Sequence, residues 1–571
     1  MNNYEFNVNE GFTGSYTEEI IDGITYLKVK VSSDTPACPR IHFKWESPDI
    51  GTNVFWQPKT DRLKKVHWNW TKRFESSASY CAPIISNVGY DDLNRLTIAV
   101  SDSINFVELR SGLIENNACF DNGVDIILQE PVTEYSATIR IDERKLPFYE
   151  VIGAVGEWWR NECGYKPAYV PECSYHALYS TWYAFLQNPT AEGIFEECKI
   201  FKALGCDTVI IDDGWQGGGE SVPMGNNGDW VVCTEKFPDM KGFVDALHEM
   251  GMKVMVWFPA PFVGFNTEAY KKFKDKTIER GFPTDHALFD MRYPEVRKYI
   301  VDTYCRVMKE WNLDGVKLDY WDSCHKSLPG KEGMDTPSLQ RAVERTLIEV
   351  NDALHAINPE AMIEFRQDYV SPLMHQYCTM IRAMDCPNDS LSNRLFTLDL
   401  RLLSGDTAIH SDMLMWHGDE PADEAAYQIT NVLFSVPQIS VRWNEISDEQ
   451  RKMIGYYLGF CKENREVLMH GDMFYKNLAA DFAFVSAAKD GTEVAALYAG
   501  QVAGFRGGNN TVKLVNASPE TTVYVENPDK AVFSYVTRNC MGEIVGTGKA
   551  DFTNGFTKVD VPQNGTVEFT R

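Results

Sequence analysis

The sequence predicts an α/β fold: a (β/α)8 TIM barrel flanked by an N-terminal antiparallel β-sandwich and a small C-terminal β-domain. Three observations predict it. Apolar strand-like runs alternate with helical periods eight times through the middle of the chain, while the two ends read as short alternating segments. Four of the eight central runs end in aspartate, where barrel enzymes carry their chemistry. No Gly-rich phosphate loop follows the first run, which disfavours an open doubly wound sheet.

The elements follow in chain order. Over 1–147, alternation at period two between Gly, Asn, Asp and Pro residues marks short strands, as at 24–31, 95–100 and 136–141. A linker with a short helix is expected over 148–172. The barrel is expected over 173–468, with strands at 176–185, 208–213, 253–259, 315–320, 362–366, 380–385, 408–415 and 439–443. Helical periods lie at 191–204, 294–311, 337–356, 425–434 and 448–461. Gly217, Gly218 and Gly219 read as a loop. The alternating pattern returns over 469–571, at 482–487, 493–498, 511–515, 522–526, 532–536 and 566–570.

Composition narrows the function. The 571 residues carry 55 basic and 81 acidic side chains, a net charge of −26 that repels phosphate backbones and argues against nucleic-acid partners. No run of about 18 apolar residues suggests a membrane span. The start, Met1 to Phe6, lacks the basic-then-apolar pattern of a signal peptide. The 14 Cys form no Cys-x-x-Cys pair, and Cys198, Cys206, Cys305 and Cys461 sit in apolar runs, as buried thiols of a cytoplasmic protein would. No compact metal spacing is present, so no metal site is expected. Aromatics at 12% fit either large cores or rings that stack on sugars.

The aspartates carry the sharper signal. Strand two ends Ile211-Asp212-Asp213-Gly214-Trp215, strand four Val316-Lys317-Leu318-Asp319-Tyr320-Trp321-Asp322, strand six Ile381-Arg382-Ala383-Met384-Asp385, and strand seven Ile409-His410-Ser411-Asp412. Any one of these aspartates fits a helix cap; four together point to a shared polar mouth. Alternation puts Lys317 and Asp319 on one side of their strand. A lysine there would hold the carboxylate ionised, as a nucleophile requires, though a structural ion pair reads the same way. Glycoside hydrolysis needs one ionised and one protonated carboxyl, separated by roughly 5–5.5 Å when configuration is retained. Asp385, with mostly apolar neighbours that would raise its pKa, is the candidate acid, and Asp389 is the second choice. Arg382 pulls against that rise. The aromatics Trp215, Trp257, Tyr320, Trp321 and Trp443 fit sugar stacking and rim packing equally. His410 reads as a hydrogen-bonded second-layer residue more readily than as a ligand.

Over about 175–460 the chain resembles the α-galactosidase (melibiase) family and its raffinose-synthase relatives. The resemblance rests on Asp212-Asp213-Gly214-Trp215, Gly228-Asp229-Trp230, Lys236-Phe237-Pro238, Val256-Trp257 with Pro259, and Gly315-Val316-Lys317-Leu318-Asp319, in order. It implies retaining cleavage of α-linked galactose through a covalent glycosyl-Asp319. It further implies that Asp212, Asp213 and Lys317 bind sugar hydroxyls and that Trp182, Trp215 and Trp257 line the pocket. The chain departs from the family after strand five, where Ile363-Glu364-Phe365-Arg366-Gln367-Asp368 replaces a Cys- and Gly-rich turn, and in the spacing of Arg382, Asp385 and Asp389. Arg366, Gln367, His410 and Asp412 are therefore candidate contacts to a substituent that galactose lacks, and Arg382 is a further candidate for substrate binding. Transfer to another sugar, an α-N-acetylgalactosaminidase and a non-catalytic sugar-binding protein remain as alternatives. The expected partner is a small carbohydrate, homo-oligomer formation is left open, and no cofactor is called for because two carboxyl groups suffice.

Overall fold

The computed structural model describes residues 3–71, 73–217, 224–281 and 284–571. Met1, Asn2, Gly218 and Gly219, used in the sequence reading, lie outside these residues.

At the N-terminal end two antiparallel sheets face each other. One runs in the order Glu5–Val8, Arg40–Pro48, Cys119–Ile127, Phe106–Ile114, Phe74–Ser76. The other runs Thr13–Ile21, Ile24–Ala37, Val132–Asp142, Asn94–Val100, Ile84–Val88, Val54–Trp56. Alternation explains the packing: Leu27, Val29 and Val31 point inward from one sheet and meet Ile41, Phe43 and Trp45 of the other in a single core. Helix Phe148–Asn161 leads out of the sandwich and buries Trp158 and Trp159 toward the barrel.

Eight parallel strands close the barrel. They are β1 (Leu178–Ser180), β2 (Thr208–Ile211), β3 (Lys253–Pro259), β4 (Gly315–Asp319), β5 (Met362–Arg366), β6 (Met380–Arg382), β7 (Ala408–Leu414) and β8 (Val436–Ile439). The outer helices are α1 (Ala191–Ala203), α2 (Met240–Glu249), α3 (Pro294–Trp311), α4 (Leu339–Ile357), α5 (Ser390–Arg401), α6 (Ala422–Thr430) and α7 (Asp448–Glu463). Several begin at a side-chain cap: Thr190, Asp239, Ser338 and Asp389 each accept a backbone N–H of the first turn. Ser447 and Gln450 form a reciprocal capping box on α7. Gly315 starts β4 because β5 runs so close that a Cβ there would lie 2.2 Å from the Met362 carbonyl oxygen.

Three expectations need correction. The run 176–185 is not one strand: β1 stops at Ser180, and Trp182–Phe185 is a helical turn. The eighth strand lies earlier than 439–443, at Val436–Ile439, and Trp443 opens a 3-10 turn. The strand containing Asp385 ends at Arg382, so Asp385 sits in the following loop.

Between β5 and β6 the chain makes no α-helix, only the 3-10 turn Met374–Gln376. The N-terminal sandwich fills that place. Thr60 binds the Asp368 carboxylate through its amide and hydroxyl (both 2.9 Å), Cys81 donates its amide to the Asp368 carbonyl, and Ser371 donates its hydroxyl to the Ala78 carbonyl. Lys64 and the Trp56 indole both hold the buried Asp399 on α5.

After α7 and a last short helix, Arg465–His470, a seven-stranded sheet runs in the order Asp472–Lys476, Phe484–Lys489, Thr492–Leu497, Thr511–Asn516, Thr566–Thr570, Val532–Arg538, Ile544–Asp551. It packs with a three-stranded sheet of Val502–Gly504, Thr522–Glu526 and Phe556–Asp560 around Leu514, Val525, Phe552 and Phe569. Among the described residues no helix is long and apolar enough to cross a membrane.

Candidate active site

Asp319 is the last residue of β4, at the end of the barrel where the strands give way to loops. Its Oδ1 accepts a hydrogen bond from the Arg366 Nε at 2.6 Å and from the Tyr320 amide at 2.8 Å, and its Oδ2 accepts one from the Trp257 indole at 3.1 Å. The Tyr369 hydroxyl lies 3.4 Å from Oδ1. Burial by itself would push this carboxyl up, but the charges of Arg366, Lys317 and Arg382 outweigh it and hold it well below the usual carboxylate range. Tyr320 turns the chain immediately afterwards with φ of 68°, a left-handed conformation that costs a non-glycine residue about 1–3 kcal/mol and is kept where the surroundings enforce it.

Lys317, two residues earlier on the same face, bonds Asp212 Oδ2 at 2.5 Å and lies 3.9 Å from Glu364. Lys317 does lower Asp319 by its charge, as expected, but without touching it. It sits one layer deeper, where the facing carboxylates belong to β2 and β5, and the cation touching Asp319 is Arg366. Asp213 is held by Gln187 (2.8 Å) and Gln216 (2.7 Å), while burial pushes its carboxyl up. Gly214 makes the turn possible: its φ is +105°, and a Cβ would meet the Gln187 backbone at 2.6 Å.

Asp385, in the loop after β6, has a half-exposed side chain 2.8 Å from Arg382 Nη1. The apolar neighbours were expected to raise its pKa. Burial does push it up, but Arg382 overrides this and holds the carboxyl below its ordinary value, while the nearby negative charge of Asp319 opposes that pull. The same Nη1 reaches Asp412 Oδ1 at 2.5 Å. Asp412 is fully buried, also binds the Cys386 amide at 2.6 Å and the Tyr183 hydroxyl at 3.0 Å, and is pushed up to about 6 by burial. Two carboxyls leaning on one guanidinium titrate as a pair.

The sequence profile of the melibiase family matches residues 173–364. That stretch holds β1 to β4 and the start of β5, with Asp212, Asp213, Lys317 and Asp319. In this stretch, about a third of the chain, the barrel is similar to the melibiase family. The α-galactosidase Mel36A of Lactobacillus acidophilus is 29% identical over 166 residues, 27% of this chain and 22% of that protein. An A type blood α-D-galactosamine galactosaminidase of Flavonifractor plautii is 25% identical over 264 residues, 39% of this chain and 23% of that protein. The chain thus spans about a fifth to a quarter of the length of these curated relatives. In fold, it matches a GH36 α-galactosidase of Geobacillus stearothermophilus solved with 1-deoxygalactonojirimycin, at a TM-score of 0.64 and 14% identity, covering 98% of this chain and 81% of that one.

The barrel gathers Asp212, Lys317, Asp319, Arg366, Arg382, Asp385 and Asp412 into one cluster, with Trp257 against Asp319 and half-buried Trp182 at the β1 rim. Four readings are corrected. Trp215 is not pocket wall: it is fully buried among Trp230, Phe258 and Trp311, on the outer side of β2, and donates its indole N–H to the Trp257 carbonyl. His410 does not face a ligand, because its ring is held by the Ser174 carbonyl (2.8 Å) and the Gln438 amide (3.2 Å). Asp389 caps α5 through Ser392 and pairs with Arg62, outside the cluster. Asp412 and Arg382 are sealed beneath Asp385 and brace it from below.

Two acids escaped the sequence reading. Glu364 is fully buried, bonds Gln438 at 2.6 Å, and lies 3.9 Å from Lys317 and 3.8 Å from Arg382; burial pushes it up against both charges. Its period-two spacing from Arg366 was the available signal. Asp322, 3.4 Å from Arg366, follows Asp319 by three residues and is likewise pushed up by burial.

Proposed function

We propose that this protein is a retaining glycoside hydrolase that releases terminal α-linked galactose, or a closely related sugar, through a covalent glycosyl-Asp319. The observation that carries the reading is the buried Asp319 carboxylate, kept ionised by Arg366, Lys317 and Arg382, with a second carboxyl, Asp385 on the β6 loop, near enough to feel its charge. In the first step a carboxylate oxygen of Asp319 bonds to the anomeric carbon as the glycosidic bond breaks, and Asp385 gives its proton to the departing oxygen. In the second, Asp385 takes a proton from water, whose oxygen displaces Asp319. A sugar lying over the half-exposed Asp385 removes its water and favours its protonated form. Asp412, pushed up by burial, shares the Arg382 guanidinium with Asp385 and titrates together with it. On this reading Asp212, Asp213 and Lys317 take sugar hydroxyls, with Trp182 and Trp257 as walls.

On this reading the chain divides at 1–147, 148–172, 173–468 and 469–571, with the chemistry confined to the third segment and the cytoplasm as its compartment. The match to a relative named as a galactosaminidase supports a second reading, in which the sugar carries nitrogen at C2. The deciding experiment is a screen of 4-nitrophenyl α-glycosides (galactoside, 2-amino- and 2-acetamido-galactoside, glucoside), with proton NMR of the first product anomer. Release of the α-anomer from a galactoside supports retention; a β-anomer refutes it. New oligosaccharides in excess acceptor sugar would reassign the enzyme as a transglycosylase, and binding without turnover would make it a lectin-like protein.

A further inference from the structure

The helical turn Trp182–Phe185 that follows β1 reaches the acid-bearing side of the mouth through Tyr183. This residue is half-buried, like its neighbour Trp182, and donates its hydroxyl to Asp412 Oδ2 on β7 at 3.0 Å, across 229 positions of chain. The turn is already held without that bond. Ser440 accepts the Ala184 amide at 3.1 Å and donates its own hydroxyl to the Ser180 carbonyl at 2.7 Å. A wall for a sugar needs only an aromatic face, which phenylalanine would supply. A hydroxyl aimed at a sealed carboxylate serves neither purpose.

The other donors to Asp412 lead to Asp385. Oδ1 takes Arg382 Nη1 at 2.5 Å, and the same nitrogen lies 2.8 Å from Asp385. Oδ2 takes the amide of Cys386, the residue after Asp385, at 2.6 Å. Asp412 therefore grips both the cation that faces Asp385 and the backbone that carries it. Arg382 and Cys386 are buried, whereas Tyr183 is not. Burial pushes Asp412 up, Arg382 pulls it down, Asp385 pushes it up, and the bonds from Cys386 and Tyr183 pull it down because they favour the charged form. Arg382 also faces Glu364 and Asp319, and Asp385 also faces Asp319, Arg366 and Lys317. Burial and then the charges of Asp412 and Asp385 push the Tyr183 phenol far above its usual range, so it stays a donor.

We infer that Tyr183 is a positioning residue for the proposed acid/base: its hydroxyl fixes the Asp412 carboxylate, which through Arg382 and the Cys386 amide sets where the Asp385 carboxyl stands. This rests on the proposed glycosidase reaction with Asp385 as proton donor, and the test separates the two. The sugar leaving from melibiose needs a proton, whereas 4-nitrophenolate leaves without one. In Tyr183→Phe, kcat/KM for melibiose should fall about tenfold and that for 4-nitrophenyl α-galactoside less than about twofold, since general acid catalysis is worth about 10²–10⁴-fold where a proton is needed. With Asp412 less firmly ionised, Arg382 acts more fully on Asp385, and the basic limb of kcat/KM should move down by about half a pH unit. Asp412→Asn makes the same change outright, so adding Tyr183→Phe to it should move the profile little further. Ser440→Ala loosens the same turn without touching Asp412 and should lower both substrates alike. Equal losses on the two substrates in Tyr183→Phe, or a full additional shift in the double variant, overturn the inference.

Asp385→Ala run alongside must show the substrate split more strongly; if it does not, the acid assignment has failed instead. In that case, or if neither substrate is cleaved, melting decides the link between Tyr183 and Asp412 alone. Asp412 in the folded protein lies above its unfolded value of about 3.9, so its contribution is present below that pH and lost as the pH rises through about 6. Without the phenol the loss continues to higher pH. Relative to the parent, Tyr183→Phe should therefore lose more melting temperature at pH 8 than at pH 5, and this excess should vanish in the Asp412→Asn background. The same loss at both pH values refutes the link.

Discussion

Replacing Arg366 by methionine removes the cation that touches Asp319 while keeping a long apolar stem. The two side chains are 6% and 9% exposed, so the pair is buried. Breaking such a pair costs about 3–5 kcal/mol, and the lower end, about 3 kcal/mol, is expected because Lys317 and Arg382 still act on Asp319. An adjacent arginine lowers an aspartate by about 1–3 pH units, so the acid limb of the kcat/KM profile should move up by about 1–2 units. The sign follows from linkage. Asp319 in the folded protein lies below its unfolded value of about 3.9, so it contributes stability above that pH and loses it as the pH falls toward the folded value. In Arg366→Met that loss begins at higher pH. The assay is 4-nitrophenyl α-galactoside turnover from pH 3 to 8 with thermal melting across the same range, and Arg366→Lys as the charge-retaining control. An acid limb that coincides with the parent's in a folded Arg366→Met protein would refute the electrostatic account of Asp319.

Asp319→Asn should cut kcat by about 10⁴-fold or more, as removal of a nucleophile does, with melting close to the parent's; ready turnover would remove the assignment. Asp412→Asn takes a negative charge from Arg382, so Arg382 holds Asp385 lower, and the basic limb of kcat/KM should move down by about 1 pH unit; an upward move contradicts the pair. Gly214→Ala should destabilise by about 2 kcal/mol in denaturant titration, because φ of +105° and the Gln187 backbone both oppose a side chain.

Where one face of an element decides its structure, the sequence was easy to read. The apolar runs of β3 and β5 match their strands at both ends, Lys253–Pro259 and Met362–Arg366. β8 was misplaced because Pro437 within it argues against a central strand, while the alternation Ile439-Ser440-Val441-Arg442-Trp443 just after it fits period two. β1 was overextended because Trp182–Phe185 is apolar in either conformation. Alternation put Lys317 on the side of Asp319, but which acid it would meet depends on strand stagger around a closed barrel, which one sequence does not carry. The contact between Arg366 and Asp319 spans 47 positions and two strands. The capping role of Asp389 was legible locally, since an acid before a helix is first a cap.

The gap between β5 and β6 has a consequence for how the molecule can be cut or reused. In most barrels each strand brings its own outer cover, so the ring can be excised as a freestanding unit. Here one of the eight covers comes from sequence about 300 residues earlier: Thr60, Ala78 and Cys81 seal the loop that leads from Arg366 to Arg382. The sandwich is thus an organ of the catalytic half, and transplanting the barrel without it would leave the acid-bearing side of the mouth unsupported.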